Sequence, residues 1–434
     1  MKNNRTLILL LLTLVYAFNF IDRQIVGILA PFIQADLGLT NTQLGLLTGL
    51  LFAVFYTMIA IPIAMLADRY NRVNIIAIAL AMWSGFTALT GMANSFLHIG
   101  LARMGVGVGE AGGSPPSHSI ISDLYAKDER ASALGIYSLG IPVGIMCAYF
   151  AVAAIAGKSA ADVPWRQIFI FLGVTGLVLA LLVRLLLGEP KRGAIETTNN
   201  EVAARMPFFK SLGILLTIPS WWTMCFGIAT ASFAAYSFSA FQTKFIFTLD
   251  PNFNLQTLMI TLGVINGITY TSGTFLGAKI ADKLGKKDIR AYGWVPAISV
   301  LIAFPIGVAS MWVGTVWMHL ACVSVFLLFL GVYLGPSFAI AQTLAPIHMR
   351  AMSTALFFFI LNNIALGGGP TITGVLIDHF LPTHGDLGAI RLSFSIVCVM
   401  FLVSSFFFLL TSKFLPKDWA DAQVRNEGIA KSPQ

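Results

Sequence analysis

The sequence predicts an all-α membrane protein of twelve transmembrane helices in two pseudo-symmetric six-helix bundles. Three observations carry this. First, 57% of the 434 residues are apolar and 11% are charged, against about 25% charged in a soluble domain. Such a chain needs a solvent less polar than water. A stretch of about 18 or more apolar residues is long enough to span a bilayer. Twelve occur, centred near residues 20, 55, 83, 109, 143, 177, 231, 266, 299, 328, 363 and 401. Second, the basic residues are lopsided. Twenty of the 27 lysines and arginines fall on the side of the N-terminus and three, Lys158, Arg166 and Arg391, on the other. The positive-inside rule then places both termini in the cytoplasm of a multi-pass cell-membrane protein, the inner membrane if the source is Gram-negative. Third, one polar loop occurs twice at a fixed offset.

Lys2 and Arg5 before the run Leu7 to Leu12 imitate a signal peptide. The apolar pattern continues past Asp22-Arg23 without a small-residue cleavage site, so this segment reads as the first span. Asn19 and Asp22 are three residues apart and share a helix face. Ionisable groups at membrane depth normally face a bundle interior or a water-filled path and mark ion or substrate routes.

After the second span the chain reads Ala67-Asp68-Arg69-Tyr70-Asn71-Arg72. After the eighth it reads Ala281-Asp282-Lys283-Leu284-Gly285-Lys286, offset by 214 positions. Internal repeats of this kind build many secondary transporters, with the site between the halves. Asn71 and Gly285 are expected to take a left-handed backbone. Asp68, Arg69, Arg72, Asp282, Lys283 and Lys286 form a candidate cytoplasmic gate, paired in one state and released in the other. The plainer alternative is a basic loop serving topology alone.

The fourth span carries Arg103 and Glu110. Seven residues turn a helix through about 700°, so both project from one face, with Gly107 and Ser114 on the same stripe. The stripe is expected to be open at Gly107, and Pro115-Pro116 to break the hydrogen-bond ladder and kink or loosen the helix below Glu110. Helix rise puts Arg103 about 9 Å, Asp22 about 16 Å and Glu110 about 20 Å from the outer end. Asp22 and Arg23 then fall between the two charges of the fourth span, and the four can neutralise one another. They read either as a static network or as a switch, with Glu110 and Asp22 as the proton-carrying candidates. Gly107-Val108-Gly109-Glu110-Ala111-Gly112 formally matches a dinucleotide motif but lies inside a spanning helix, where small residues serve packing.

The longest polar connection, 188–210, separates a first bundle (1–187) from a second (211–414), with a cytoplasmic tail at 415–434. The second half offers Phe226, Phe233 and Tyr236 in the seventh span and Phe326, Phe329 and Tyr333 in the tenth. They are expected to form an apolar cavity wall facing a charged one, which suits an amphipathic substrate. Asn362-Asn363 ahead of Gly367-Gly368-Gly369-Pro370 reads as a hinge. Cys147, Cys225, Cys322 and Cys398 are far apart in apolar spans and read as packing residues. No metal-ligand, cofactor or nucleophile–base pattern is found, so an enzyme is not expected. The net charge of +8 is explained by topology and an anionic leaflet, without nucleic acid. The expected partners are an amphipathic small molecule or lipid, protons and membrane lipid, with the chain a monomer.

The repeated loop resembles the signature loop of the major facilitator superfamily, Gly-x-x-x-Asp-Arg/Lys-x-Gly-Arg/Lys, with Ala64 and Ala278 in place of the first Gly. A finer resemblance is to the Spinster family of lipid transporters. It rests on Asn19-Phe20-Ile21-Asp22-Arg23 with Gly27 and Leu29, Asp68 to Arg72, and Arg103-x-x-x-Gly107-x-Gly109-Glu110-Ala111. Ser122-Asp123-Leu124-Tyr125 with Arg130, Ile141-Pro142-Val143-Gly144 and Trp165-Arg166 extend it. The match is dense through six helices and thin after residue 210. It implies a bacterial alternating-access carrier in which Asp22, Arg23, Arg103 and Glu110 serve substrate binding and proton coupling. The implied substrates are lysophospholipids, sphingosine-1-phosphate or related single-chain lipids. The alternatives are a multidrug exporter, a small organic-anion carrier and a non-transporting receptor.

Overall fold

A computed structural model describes residues 4–157, 163–191, 213–346 and 349–431. The backbone is almost wholly helical, as a bilayer requires, because in-chain hydrogen bonds satisfy every spanning N–H and C=O. The twelve spans are numbered α1 to α12. α1 is Arg5–Leu37; the Asn4 side chain caps it by accepting from Thr6 N and Leu7 N, and Gly38 ends it at φ 62°. α2 has two segments, Asn41–Thr48 and Leu50–Arg69, the first opened by a Thr40–Gln43 capping box. α3 is Arg72–Thr90. α4 comprises Phe96–Glu110 and Ser114–Leu124, α5 Lys127–Ser138 and Gly140–Ile155, and α6 Trp165–Leu186.

In the second half α7 is Pro219–Leu249. α8 is Leu255–Ile265 and Thr271–Gly285, joined by a π-helical turn at Asn266–Tyr270. α9 is Ala291–Trp312, and α10 is Val316–Val332 and Leu334–Thr343. α11 begins as Arg350–Leu361, passes through a π-helix at Asn362–Gly368 and continues into Gly369–Lys431. Gly385, at φ 64° and ψ 176°, breaks that last helix and separates α11 from α12. The expected hinge at Asn362 is thus a π-helical segment. α12 runs through position 415 to Lys431, so the tail continues the last span as helix.

The chain divides into two compact units. The first holds 1–198, 239–267 and 370–387; the second holds 199–238, 268–369 and 388–434. The division departs from the two halves read from the sequence, because the outer ends of α7, α8 and the α11–α12 turn join the first unit. Glycines allow that contact. A Cβ at Gly45 would sit 2.3 Å from the Pro370 carbonyl oxygen, and one at Gly374 2.2 Å from that of Asn41. Within the second unit Phe238, Phe326, Phe394 and Phe401 make a contiguous aromatic core. Of the expected linker, residues 192–210 lie outside the described residues.

Two expectations about the repeated loop are corrected. Asn71 has φ −60° and ψ 115°, because it caps α3 and its side chain accepts from Asn74 N at 2.8 Å. Gly285 ends a helix without a positive φ. A close approach explains it: a Cβ there would lie 2.5 Å from the Tyr292 ring.

Candidate functional site

The polar site of the first unit is built from α1, α2, α3 and α4. Asn19 and Asp22 are both buried on α1, as their i, i+3 spacing dictates. The next residue, Arg23, donates from Nε to Glu110 Oε2 of α4 at 2.8 Å. Glu110 is 0% exposed; the Asn19 side chain lies beside its carboxyl group, but Oε1 makes no well-formed hydrogen bond among the described residues. Asn19 Oδ1 is likewise without one. Buried acceptors are normally satisfied, so an orphaned carboxylate oxygen is a place where a proton can be accommodated.

The other acid and base are satisfied differently from expectation. Asp22 Oδ1 accepts from Thr87 Oγ1 of α3 at 3.0 Å. Arg103, 2% exposed, donates from Nε to the Leu47 carbonyl at 3.4 Å and from Nη1 to the Asp22 carbonyl at 3.5 Å. Among the described residues Arg103 makes no ion pair. The four charges therefore contain one salt bridge, Arg23–Glu110, and not two. The order of depths read from helix rise is preserved in these contacts: Arg103 reaches Asp22, and Glu110 reaches Arg23.

Aromatic rings complete the site. The Arg23 guanidinium lies 4.5 Å from the Tyr56 ring centroid, 5.1 Å from Phe52 and 5.2 Å from Phe20. The Phe52 ring also faces Arg103 at 5.0 Å, so one ring serves two cations. Cation–π contacts hold a guanidinium in place while leaving its hydrogen-bonding edge available. Phe52, Tyr56 and Thr87 escaped the sequence reading. The four-residue spacing of Phe52 and Tyr56 was the available signal, but it looks like ordinary core.

Of the two expectations for the small and proline residues of α4, the break below Glu110 is present and the opening at Gly107 is not. Gly107 leaves no opening; the α2 backbone fills the place, and a Cβ would lie 2.7 Å from the Phe52 carbonyl oxygen. Residues 111–113 break the helix, and Pro115 and Pro116 sit in the first turn of the new segment, where their missing N–H groups are harmless. Ser114 therefore leaves the Arg103–Glu110 stripe and neighbours Tyr137.

Beyond this site, Gln24 donates to Ser239 Oγ of α7 at 2.8 Å. Nearer the outer end, Lys244 of α7 donates to Gln34 Oε1 at 2.7 Å and also to Asn41 Oδ1. Asn41 in turn donates from its backbone and side chain to Asp378 at 3.1 Å and 2.8 Å, and Thr42 adds two more hydrogen bonds to that carboxylate. This clasp joins α1, α2, α7 and α11 inside the first unit. The sequence analysis assigns Lys244 no role.

At the opposite end Arg72 is buried and bonds to Glu189 at 2.7 Å, Asp123, Ser119 and the Pro190 carbonyl. It staples the α2–α3 loop to α4 and to the segment after α6. Arg69, Lys283 and Lys286 are exposed. Asp282 accepts from Tyr292 Oη at 2.7 Å, and the Asp68 side chain lies outside the described residues.

The aromatic residues of the second unit separate into two groups. Phe226, Tyr236 and Phe329 keep part of their surface. Phe326 is 1% exposed and packed on Phe238 and Phe401; Phe233 and Tyr333 are also buried, with the Tyr333 hydroxyl 3.0 Å from Ser232 Oγ. These three are core residues and not a wall. Gly307 leaves the room that draws Phe326 inward, since a Cβ there would lie 2.9 Å from its ring.

A family profile, the Major Facilitator Superfamily, matches residues 12–370. The chain belongs to that superfamily. It is a multi-pass membrane transporter and not an enzyme. Among superfamily relatives it is 29% identical to an MFS-type efflux pump of Mycolicibacterium smegmatis, over 92% of this chain and 91% of that one. It is 26% identical to protein spinster homolog 1 of Xenopus tropicalis, over 97% and 83% respectively. The crystal structure of a bacterial homolog to the human lysosomal transporter Spinster, in an inward-facing and unoccupied conformation, superposes with a TM-score of 0.86. That match has 28% identity and covers 95% of this chain and 98% of that one.

Proposed function

We propose that this transporter works by alternating access and couples an amphipathic, single-chain lipid substrate to protons through Glu110, with Asp22 in support. The observation that carries the proposal is the buried Glu110 carboxylate, with Oε2 bonded to Arg23, the Asn19 side chain beside it, and Oε1 without a well-formed hydrogen bond among the described residues. Protonation of Glu110 removes the negative partner of Arg23. The guanidinium, still framed by Phe20, Phe52 and Tyr56, then offers its charge to an anionic headgroup. Substrate and proton thereby influence each other's affinity reciprocally. Similarity to Spinster proteins supports the lipid class. The charge bias of the loops supports a cell-membrane location with both termini cytoplasmic.

Similarity to the mycobacterial efflux pump favours one second reading, an exporter of lipophilic amphiphiles using the same site. Liposomes containing the purified protein discriminate the two. A labelled lysophospholipid whose flux follows a pH gradient, and loses that dependence in Glu110→Gln, supports the first reading. Flux of lipophilic cations with no lysolipid flux establishes the second. Lysolipid flux that keeps its pH dependence in Glu110→Gln removes Glu110 from the mechanism.

A further inference from the structure

On the basic-loop side of the second unit, α9 and α12 border an open surface recess of about 300 Å³ lined by Arg290, Leu409, Ser412 and Lys413. The two helices touch beside it. A Cβ at Gly293 would lie 2.6 Å from Ser412 N, and Ser412 Oγ donates to the Arg290 carbonyl at 2.8 Å. Tyr292 stacks on Trp419 at 5.7 Å and fixes the same junction on the polar side. Two exposed cations therefore border a shallow, open recess beside a tight helix–helix contact. Among the described residues neither Arg290 nor Lys413 makes an ion pair. The neighbouring Asp288 turns its carboxylate to the backbone, accepting from Arg290 N at 3.0 Å.

The surface on one side of this recess is apolar. Leu402, Phe406 and Leu409 are exposed on α12, and the exposed Lys413 and Lys417 continue the same helix face at i, i+4 steps. On α9, Ile298, Leu301 and Ile302 are exposed. One continuous strip thus changes from hydrocarbon-facing side chains to cations at the recess, as the surface beside a phospholipid must.

We infer that this recess seats the phosphate headgroup of an anionic phospholipid from the leaflet on the basic side, with acyl chains against Ile298, Leu301, Leu402 and Phe406. Basic pockets between spanning helices suit such headgroups. A free phosphate shares the headgroup chemistry, but it would leave the apolar strip unused. The inference is independent of the proton-coupled reading, since it uses none of the residues of the first unit.

Native mass spectrometry of the full chain tests it, with dioleoyl-phosphatidylglycerol, dioleoyl-phosphatidylcholine and inorganic phosphate as probes. Phosphatidylglycerol is expected to be retained over phosphatidylcholine and not displaced by equimolar phosphate. Arg290→Gln and Lys413→Gln should each weaken it about 5-fold, and together about 30-fold. Lys286→Gln/Lys287→Gln removes the same charge away from the recess and should change little. Equal loss in that control, equal retention of the two lipids, or displacement by phosphate overturns the proposal. If the double variant unfolds, the two single variants carry the same test.

Discussion

Lys244 Nζ, near the outer end of α7, donates a 2.7 Å hydrogen bond to Gln34 Oε1 of α1. The same ammonium bonds to Asn41, whose amide passes on to Asp378. A hydrogen bond to a charged group contributes about 1.5–3 kcal/mol. Lys244→Met should therefore loosen the outer end of the first unit. In a background lacking Cys147, Cys225, Cys322 and Cys398, a cysteine at Ser239 reports it. Its labelling by an impermeant maleimide should speed up about tenfold with Lys244→Met; an unchanged rate would show that the clasp does not hold that end closed.

Gly45 gives a steric route to the same end. A methyl group in Gly45→Ala would meet the Pro370 carbonyl oxygen at 2.3 Å, whereas one in Gly85→Ala meets nothing within 4 Å. Overpacking typically costs about 1–3 kcal/mol. Gly45→Ala should lower the unfolding midpoint in detergent and raise Ser239→Cys labelling, with Gly85→Ala close to wild type in both.

Thr87→Val keeps the shape of that side chain while removing the hydroxyl bonded to Asp22. Leaving a buried acceptor unmet costs about 1–3 kcal/mol. The variant should be less stable, and the additional change Asp22→Asn should recover part of the loss. A double-mutant cycle on unfolding midpoints checks this, with additive effects counting against a direct coupling.

Arg23→Lys retains a cation but loses the planar group that lies against Phe20, Phe52 and Tyr56. Cation–π contacts contribute about 0.5–2 kcal/mol in total at partly desolvated sites. Binding of an anionic amphipath, followed by tryptophan fluorescence, should weaken about tenfold. Binding of a neutral detergent-like amphipath should change little. Equal losses for both would assign Arg23 to structure alone.

Arg72 holds Asp123 and Glu189 at the opposite end of the first unit. Arg72→Gln leaves two partly exposed carboxylates facing each other without their cation, at a cost of about 3 kcal/mol. A lower unfolding midpoint, largely restored by Arg72→Gln/Glu189→Gln, is the expected calorimetric result.

The helices were legible because each is a local property. Hydropathy over about 20 residues marks a span; the capping side chains of Asn4, Thr40, Ser95 and Asn254 that start four of the helices emerged only in the structure. The charged site was legible for the same reason: Asp22, Arg23, Arg103 and Glu110 are conspicuous in hydrocarbon. Phe52, Tyr56 and Thr87 were not, since an aromatic or a threonine in a spanning helix looks alike whether it faces a guanidinium, a carboxylate or lipid.

By itself the sequence determined that the chain is a multi-pass helical membrane protein and which of its spans carry charges. Those follow from composition and hydropathy along the chain alone. Tertiary structure decided the partners: Glu110 with Arg23, Asp22 with Thr87, Arg103 with carbonyls and the Phe52 ring, and Lys244 with Gln34. A contact of about 3 Å depends on the rotation and approach of whole helices. Those are set by backbone contacts at Gly45, Gly107 and Gly374, between residues distant in the chain.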